Sequence, residues 1–277
     1  MPTVLAPDGA RLAWHEAGAG RPLLLLPGLS LGAVCFAPLL PSRFARRLAV
    51  DPRGVGGSRP WSGPTSVDGY ADDVARVLDA AGLEQADVLA MSFGGVVAQR
   101  LLVRHPGRVG RAVLVSCPEG HRPERAALLE RLAVLGEAGD LRGLWAELAP
   151  WLVGPRLARA AGEPLRAAGR LVPPLLLRTD GPAVAAELRA LLALPAAASQ
   201  DLRHVRTPVL LVAGGRDRLA TPDDTASLLG LLPGARPLVL PRSGHLVPLR
   251  VPTVRRAVRA FLRDGDLDGA GASEHRA

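Results

Sequence analysis

The fold of this chain can be inferred outward from Ala90-Met91-Ser92-Phe93-Gly94-Gly95. An apolar run, residues 88–91, leads into the serine, and a helical pattern begins at Val96. A serine on a sharp turn between a strand and a helix, followed by small residues, holds its hydroxyl exposed above a sheet. Ser92 is therefore a candidate nucleophile, and the alternative is that it only caps the helix.

Short apolar runs alternate with helical periodicity along most of the chain. Continuous runs without polar alternation are typical of strands that are buried on both faces of a parallel sheet. Such runs occupy residues 23–26, 88–91, 112–115 and 209–213, with 238–240 as a shorter candidate, and helical spacing occurs in residues 70–81 and 254–262. Alternating strands and helices predict an α/β fold with a doubly wound, parallel sheet and helices on both faces.

The alternation stops between residues 120 and 200, where no convincing strand occurs. This segment is rich in Leu, Ala and Arg and shows helical spacing in pieces. We interpret it as a helical insertion that caps the active edge of the sheet, and a bundle that serves stability alone is the alternative. The predicted domains are a core of residues 1–119 and 201–265, a helical cap of residues 120–200 and a flexible tail of residues 266–277.

The basic residues of this chain are all arginine, 34 in number, and the chain has no Lys. An internal Schiff base and a P-loop both need a lysine, which excludes pyridoxal-phosphate enzymes, lysine-based aldolases and P-loop proteins. The chain also has no Ile and no Asn, which together with the missing Lys is a bias against AT-rich codons. This bias indicates that the net charge of +8 reflects a GC-rich genome and not a binding partner. Because only 3% of the residues are aromatic, too few for base stacking, we expect no nucleic-acid partner.

Cys35 and Cys117 are the two cysteines of the chain, a number that favours a reducing compartment over a disulfide framework. Residues 1–8 lack the basic and apolar regions of a signal peptide, and the apolar runs are too short to span a bilayer. We therefore expect a cytoplasmic protein that has a small-molecule substrate and no membrane partner.

Asp217 and His245 each lie in a loop that follows an apolar run. In an open α/β sheet the site forms beyond the carboxyl ends of the strands. An acid there can orient a histidine, which then acts as the base for Ser92, so these three are the candidate catalytic residues. The alternatives are a surface pairing of Asp217 with Arg216 or Arg218, and a loop histidine that has no role.

Asp223 and Asp224 are competing candidates for the acid. They follow Thr221-Pro222, which is typical of a helix start, where acids interact favourably with the helix macrodipole. Among the other histidines, His121 opens the predicted cap and is a candidate for lining the cleft.

An oxyanion that forms on a substrate needs two backbone N–H donors. Phe93, the residue after the candidate nucleophile, supplies one of them. We assign the other to Leu29, in the loop after the first buried strand, because Gly28 allows the sharp turn that aims this amide.

Four features in this order resemble the α/β-hydrolase superfamily over residues 3–265. They are Leu26-Pro27-Gly28, Asp51-Pro52-Arg53-Gly54-Val55-Gly56-Gly57-Ser58, the Ser92 turn, and the loops of Asp217 and His245. The order of serine, acid and histidine is the one that this fold uses. The resemblance implies an eight-stranded, mostly parallel sheet with a helical cap between strands six and seven. The chain departs from the family pattern at Pro27, where His is frequent, and at Ala90, where Gly is usual.

The resemblance is to the serine-nucleophile branch of capped esterases and lactonases, and it implies acyl transfer with no metal or organic cofactor. Trp145 and Trp151 in the predicted cap favour an apolar substrate. We expect most of the cap arginines, among them Arg122, Arg125 and Arg178, to be solvated; the alternative is that they hold a carboxylate of the substrate. A carboxylic ester or lactone is the leading substrate. Thioester hydrolysis, C–C bond hydrolysis, cofactor-free perhydrolysis, a non-hydrolytic cyclase or lyase reaction, and ligand binding without catalysis stay open.

Overall fold

One eight-stranded sheet forms the centre of the protein in a computed structural model, which describes residues 1–36, 45–63, 65–120, 122–153, 179–247, 249 and 251–265. The strands are β1 (Thr3–Leu5), β2 (Arg11–Ala17), β3 (Pro22–Leu26), β4 (Arg46–Asp51), β5 (Ala86–Met91), β6 (Val109–Val115), β7 (Val209–Gly214) and β8 (Ala235–Leu240). Their order across the sheet is β1-β2-β4-β3-β5-β6-β7-β8. Strand β2 pairs antiparallel with β1 and β4, and the remaining neighbours are parallel. The predicted fold class, a mostly parallel eight-stranded α/β sheet, is confirmed.

The apolar runs of the sequence lie within β3, β5, β6, β7 and the end of β8. Strand β4 does not stand out as an apolar run because it begins with Arg46 and Arg47, which are half-buried. Strands β1 and β2 form the antiparallel edge of the sheet and expose part of their surface, so they lack the continuous apolar pattern as well.

The helices are α1 (Val67–Ala80), α2 (Phe93–Arg104), α3 (Pro123–Glu137), α4 (Leu141–Leu152), α5 (Gly181–Leu192), α6 (Pro222–Leu231) and α7 (Pro252–Asp264). Short 3-10 segments occupy Ala33–Phe36, Gly56–Ser58 and Ala196–His204. The predicted helical spacing of residues 70–81 and 254–262 lies on α1 and α7. Within the described ranges, no single helix has both the length and the hydropathy to cross a bilayer. The helical segments 181–192 and 196–204 meet these two criteria only when they are taken together, and they are bent by 73° relative to each other.

Successive residues of a buried strand enter two different apolar layers, which explains why the runs within these strands are apolar at every position. In β3, Leu24 and Leu26 belong to the layer that is covered by α1 and α2. Leu23 and Leu25 belong to the opposite layer, where Phe261 of α7 packs. The sheet is therefore covered by helices on both faces, and its carboxyl edge is left as the place for a site.

Helices α3, α4 and α5 follow β6 and precede β7 in the chain. Helices α3 and α5 approach closely, because a Cβ atom on Gly136 would lie only 3.1 Å from the backbone nitrogen of Ala185. The domain boundaries that we drew around residues 120–200 stay a prediction. His121, Arg178 and the tail of residues 266–277 lie outside the described residues.

Candidate active site

Ser92 occupies the turn between β5 and α2, and its backbone has the unusual angles φ 49° and ψ −119°. A positive φ is rare for a residue with a side chain, so the surroundings must hold this turn. The Ser92 N–H donates to the Val115 carbonyl oxygen at 3.0 Å. Gly94 permits the tight packing below the turn, because a Cβ atom there would lie 2.3 Å from the Pro27 carbonyl oxygen. The turn is thus built to hold one hydroxyl at the carboxyl edge of the sheet.

The structure brings the three candidate catalytic side chains together in one hydrogen-bonded row. His245 Nε2 lies 2.9 Å from Ser92 Oγ, and His245 Nδ1 lies 2.8 Å from Asp217 Oδ2. His245 and Asp217 are buried, whereas Ser92 is half-buried. With Nδ1–H donating to the carboxylate, Nε2 is free to accept the hydroxyl proton. The row therefore has the geometry of a nucleophile, a base and an orienting acid.

The Asp217 carboxylate is held by its own loop. Its Oδ1 accepts hydrogen bonds from the Leu219 and Ala220 backbone N–H groups at 2.8 and 3.0 Å, which leaves Oδ2 for His245. The loops after β7 and β8 touch directly, since a Cβ atom on Gly214 would lie 2.2 Å from the Gly244 carbonyl oxygen. This close approach brings the acid and the histidine within hydrogen-bond distance.

The two residues whose amides we assigned to the oxyanion line the same cavity as Ser92. Phe93 is the first residue of α2, where backbone N–H groups have no intrahelical acceptor. Gly28, before Leu29, passes close to the Ser92 turn, because a Cβ atom on it would lie 3.4 Å from Ser92 Cβ. Among the described residues, neither the Leu29 nor the Phe93 N–H donates a hydrogen bond. Both amides are thus available to an oxygen of a bound substrate.

A cavity of about 420 Å³ opens above the serine and is lined almost entirely by apolar side chains. Leu129 and Leu132 come from α3, Leu148 from α4, and Leu188 and Leu191 from α5. Within the described residues, the side chains of Ser92, Ser116, Arg125 and His245 bring charged or hydroxyl groups to the same cavity. A volume of this order suits a small to medium organic molecule.

Asp224, the main competitor for the acid, lies in a different network. It is fully buried, belongs to the capping box of α6, and accepts hydrogen bonds from Arg125 at 2.6 Å and Arg122 at 2.9 Å. Burial raises the pKa of the Asp224 carboxyl, but the hydrogen bonds from Arg125 and Thr221 outweigh it, so this pKa lies below its ordinary value. Arg125 is therefore a buried, paired cation at the cavity wall, which departs from the expectation that most cap arginines are solvated.

The segment 51–58 braces loops beside the site. Asp51 Oδ1 accepts from the Ala33 N–H at 2.7 Å, and Arg53 Nη2 donates to Asp73 Oδ1 at 2.8 Å. Arg53 also pairs with Asp8, so it links three parts of the chain. These contacts give the segment a structural role beside the site.

Two polar residues beside the site were not singled out from the sequence. Ser116 Oγ donates to the His245 carbonyl oxygen at 2.7 Å, and Glu187 Oε2 accepts from the Ser30 N–H at 2.7 Å. The one available sequence signal for Glu187 is that an acid directly follows the apolar residues 182–186 of α5. In the parts of the chain that the structure describes, no group of three or more His, Cys, Asp or Glu residues is arranged to hold a metal ion.

Comparison with known proteins gives matches over most of the chain. Residues 21–250 match the family model described as alpha/beta hydrolase fold. The chain is 32% identical to the polyketide synthase ThaQ of Burkholderia thailandensis over 97% of its own length, and it spans 13% of that protein. It is 30% identical to RutD of Caulobacter sp. (strain K31), which is named provisionally as a carbamate hydrolase, over 90% of this chain and 95% of RutD.

A solved structure of a hydrolase from Pseudomonas aeruginosa PA01 is also similar. It is 27% identical in sequence, superposes with a TM-score of 0.80, and the match covers 95% of this chain and 98% of that one. The similarity to RutD and to this hydrolase thus extends over nearly the full length of each protein.

Proposed function

This chain belongs to the α/β-hydrolase fold family, and on that basis we propose that it is a serine hydrolase that cleaves a small to medium, largely apolar carboxylic ester or lactone. The observation that carries the proposal is the row of hydrogen bonds from Asp217 through His245 to Ser92, which ends at the wall of an apolar cavity. A hydroxyl that donates to an imidazole, itself oriented by a carboxylate, is the arrangement that activates serine for attack on a carbonyl.

In the proposed acylation step, His245 Nε2 takes the Ser92 hydroxyl proton while Oγ bonds to the substrate carbonyl carbon. The carbonyl electron pair moves to its oxygen, which the Leu29 and Phe93 N–H groups hold. The C–O bond to the alcohol then breaks, and His245 returns the proton to the leaving oxygen. The acyl group is left on Ser92, and Asp217 keeps the imidazole oriented throughout.

Deacylation repeats these steps with water as the nucleophile. His245 takes a proton from a water molecule, whose oxygen bonds to the acyl carbon. The bond to Ser92 Oγ then breaks, the serine regains its proton from His245, and the carboxylic acid leaves. For a lactone, the alcohol and the acid leave as one hydroxy acid.

The cavity lining supports an uncharged, apolar substrate. Its walls are apolar, and its one cationic side chain in the part of the structure described, Arg125, is paired with Asp224. Among the described lining residues, a charged substrate group would lose its hydration without gaining a free counter-ion. The name of RutD refers to a carbamate, whose carbonyl carbon would be attacked in the same way, so carbamates belong among the substrates to test.

We propose the same partition of the chain that the sequence predicts, with residues 120–200 as a cap and residues 1–119 and 201–265 as the core. The support is that α3, α4 and α5, all from this segment, line the cavity opposite Ser92. A cap of this kind excludes water from the bound acyl group and selects substrates by shape.

The proposal is tested by labelling with a fluorophosphonate and by turnover of p-nitrophenyl esters of increasing chain length, in wild type and Ser92→Ala. Wild type should be labelled and should hydrolyse the esters, whereas Ser92→Ala should do neither and keep its melting temperature. Ser199→Ala is the matched control, because Ser199 is a buried serine whose hydroxyl bonds to Glu119 outside the cavity lining.

Each other outcome has a distinct meaning. Labelling of Ser92 without hydrolysis of esters, lactones, thioesters, carbamates or C–C substrates would favour a cyclase or lyase on the same scaffold. Absence of labelling in the folded wild-type protein would overturn the serine mechanism.

A further inference from the structure

A buried acid in α5 contacts the loop that carries one of the proposed oxyanion donors. Glu187 is fully buried, and its Oε2 accepts a hydrogen bond from the Ser30 backbone N–H at 2.7 Å. Ser30 directly follows Leu29, whose N–H we assigned to the oxyanion. Glu187 and Ser30 are 157 positions apart, so their hydrogen bond joins the segment between β6 and β7 to the loop after β3.

The Ser30 backbone needs such a support. Its φ of 54° lies in the left-handed region, which is uncommon for a residue with a side chain, and the residue is fully buried. Below it, the Leu31 N–H donates to the Gly28 carbonyl oxygen at 3.0 Å and closes a tight turn around Leu29. A turn of this kind keeps one conformation only when its surroundings hold it. The Glu187 side chain supports this turn through its hydrogen bond from the Ser30 N–H.

Packing alone does not account for an acid at this position. Within the part of the chain that the structure describes, Glu187 Oε1 is buried without a hydrogen-bond partner. Burial raises the pKa of this carboxyl to about 8, and the Ser30 N–H offsets only part of that effect. An aliphatic side chain would avoid the cost of desolvating a carboxyl. The carboxyl oxygen is therefore present for its bond to Ser30.

We propose that Glu187 is a positioning residue, whose carboxyl holds the Ser30 amide and thereby aims the Leu29 N–H at the oxygen of the reacting carbonyl. The inference rests on the proposed hydrolase function and deepens it. The next residue, Leu188, lines the cavity, as does Leu191 one turn later. One helix thus lines the cavity and also bonds to the loop that carries the proposed oxyanion donor.

The test compares two substitutions of Glu187 in the full-length protein. Glu187→Met keeps the size of the side chain and removes the acceptor, whereas Glu187→Gln keeps an oxygen acceptor for Ser30. Because a donor that acts on the transition state affects kcat more than KM, we expect Glu187→Met to lower kcat by roughly ten- to a hundredfold with KM within about threefold. Glu187→Gln should restore kcat to within about threefold of wild type.

A second readout separates oxyanion positioning from a general defect. An alkyl boronic acid forms a tetrahedral adduct on a serine nucleophile and uses the oxyanion donors. Its inhibition constant should rise in Glu187→Met by about the same factor as kcat falls. Glu137→Met is the matched control, since Glu137 is a half-exposed acid of α3 that pairs with Arg189 at the surface, and it should leave both constants unchanged.

The outcomes that overturn the inference are specific. A folded Glu187→Met variant with wild-type kcat, or with a raised KM alone, would contradict it. If Glu187→Met does not fold, Glu187→Asp takes its place, because the shorter side chain withdraws the carboxyl from Ser30, and wild-type kcat there would have the same meaning. If the wild-type protein itself is not labelled at Ser92, the proposed function fails; if it is labelled and active, only the role of Glu187 is in question.

Discussion

His245 Nε2 lies 2.9 Å from Ser92 Oγ, although the two residues are 153 positions apart and follow strands β8 and β5, which are not neighbours. The loop after β8 must therefore cross the ends of β7 and β6 to reach the Ser92 turn. Ser116, at the end of β6, holds this loop by donating to the His245 carbonyl oxygen. The Leu246 N–H donates in turn to the Leu152 carbonyl oxygen of α4 at 3.0 Å.

Removal of the charge on Asp217 should slow catalysis strongly. Asp217→Asn presents an amide where the His245 Nδ1–H needs an acceptor, which favours the wrong imidazole tautomer, and in other triads such a change lowers kcat by up to about 10⁴-fold. Ester hydrolysis gives the measurement. Asp223→Asn is the control, because Asp223 is an exposed acid in the first turn of α6. Retention of kcat in Asp217→Asn would show that another group orients the histidine.

Loss of the Ser116 hydroxyl should affect catalysis as well as stability. Ser116→Ala leaves the buried His245 carbonyl without its donor, which costs about 1–3 kcal/mol of stability, and it frees the loop that carries His245. We expect kcat to fall by about tenfold as a result. Ser199→Ala removes a comparable buried hydroxyl away from the cavity, so it should lower the melting temperature without lowering kcat. Equal effects of both variants on kcat would argue against a positioning role for Ser116.

The Ser92 turn should not tolerate a methyl group at Gly94. In Gly94→Ala the new Cβ atom would lie 2.3 Å from the Pro27 carbonyl oxygen and 2.6 Å from that of Leu26, so the backbone must move. We expect a loss of about 1–3 kcal/mol in unfolding free energy and a large drop in kcat, since Ser92 and the oxyanion loop shift together. Gly230→Ala in α6 meets no atom within 4 Å and should stabilise the protein by about 0.5–1 kcal/mol. Urea unfolding curves of both variants test this contrast.

Glu187 should make the protein less stable as the pH rises. Burial raises the pKa of its carboxyl from 4.5 to about 8, so between these values the native state holds a proton that the unfolded chain has released. The unfolding free energy therefore falls with rising pH through this window, by up to about 1.4 kcal/mol per pH unit, and Glu187→Gln should remove that slope.

The other ionisable groups near Glu187 leave this prediction unchanged. The Tyr70 phenol in α1 stays neutral, because burial and the nearby Glu187 and Asp73 carboxyls raise its pKa well above 10. The Asp73 carboxylate is paired with Arg53. Urea unfolding of wild type and Glu187→Gln at pH 5, 6, 7 and 8 supplies the difference in unfolding free energy. A constant difference across this range would mean that the carboxyl titrates at its ordinary pH.

The local pattern of the sequence was sufficient to predict the parallel strands and the strand-to-helix turn at Ser92. The runs that became β3, β5, β6 and β7 are apolar at every position because each strand is covered on both faces, and that requirement is visible in any short window. Placement after a strand also indicated Asp217 and His245, since carboxyl ends of parallel strands share one edge.

The pairings of buried polar groups depended on the tertiary structure alone. Asp224 is an ordinary first-turn acid in the sequence, and only the fold brings Arg125 against it from a helix 99 positions away. Glu187 meets Ser30 for the same reason. A strand or turn is encoded by neighbours along the chain, whereas the partner of a buried charge is set by which distant segments the packed core brings into contact, and a single sequence contains no local signal for that.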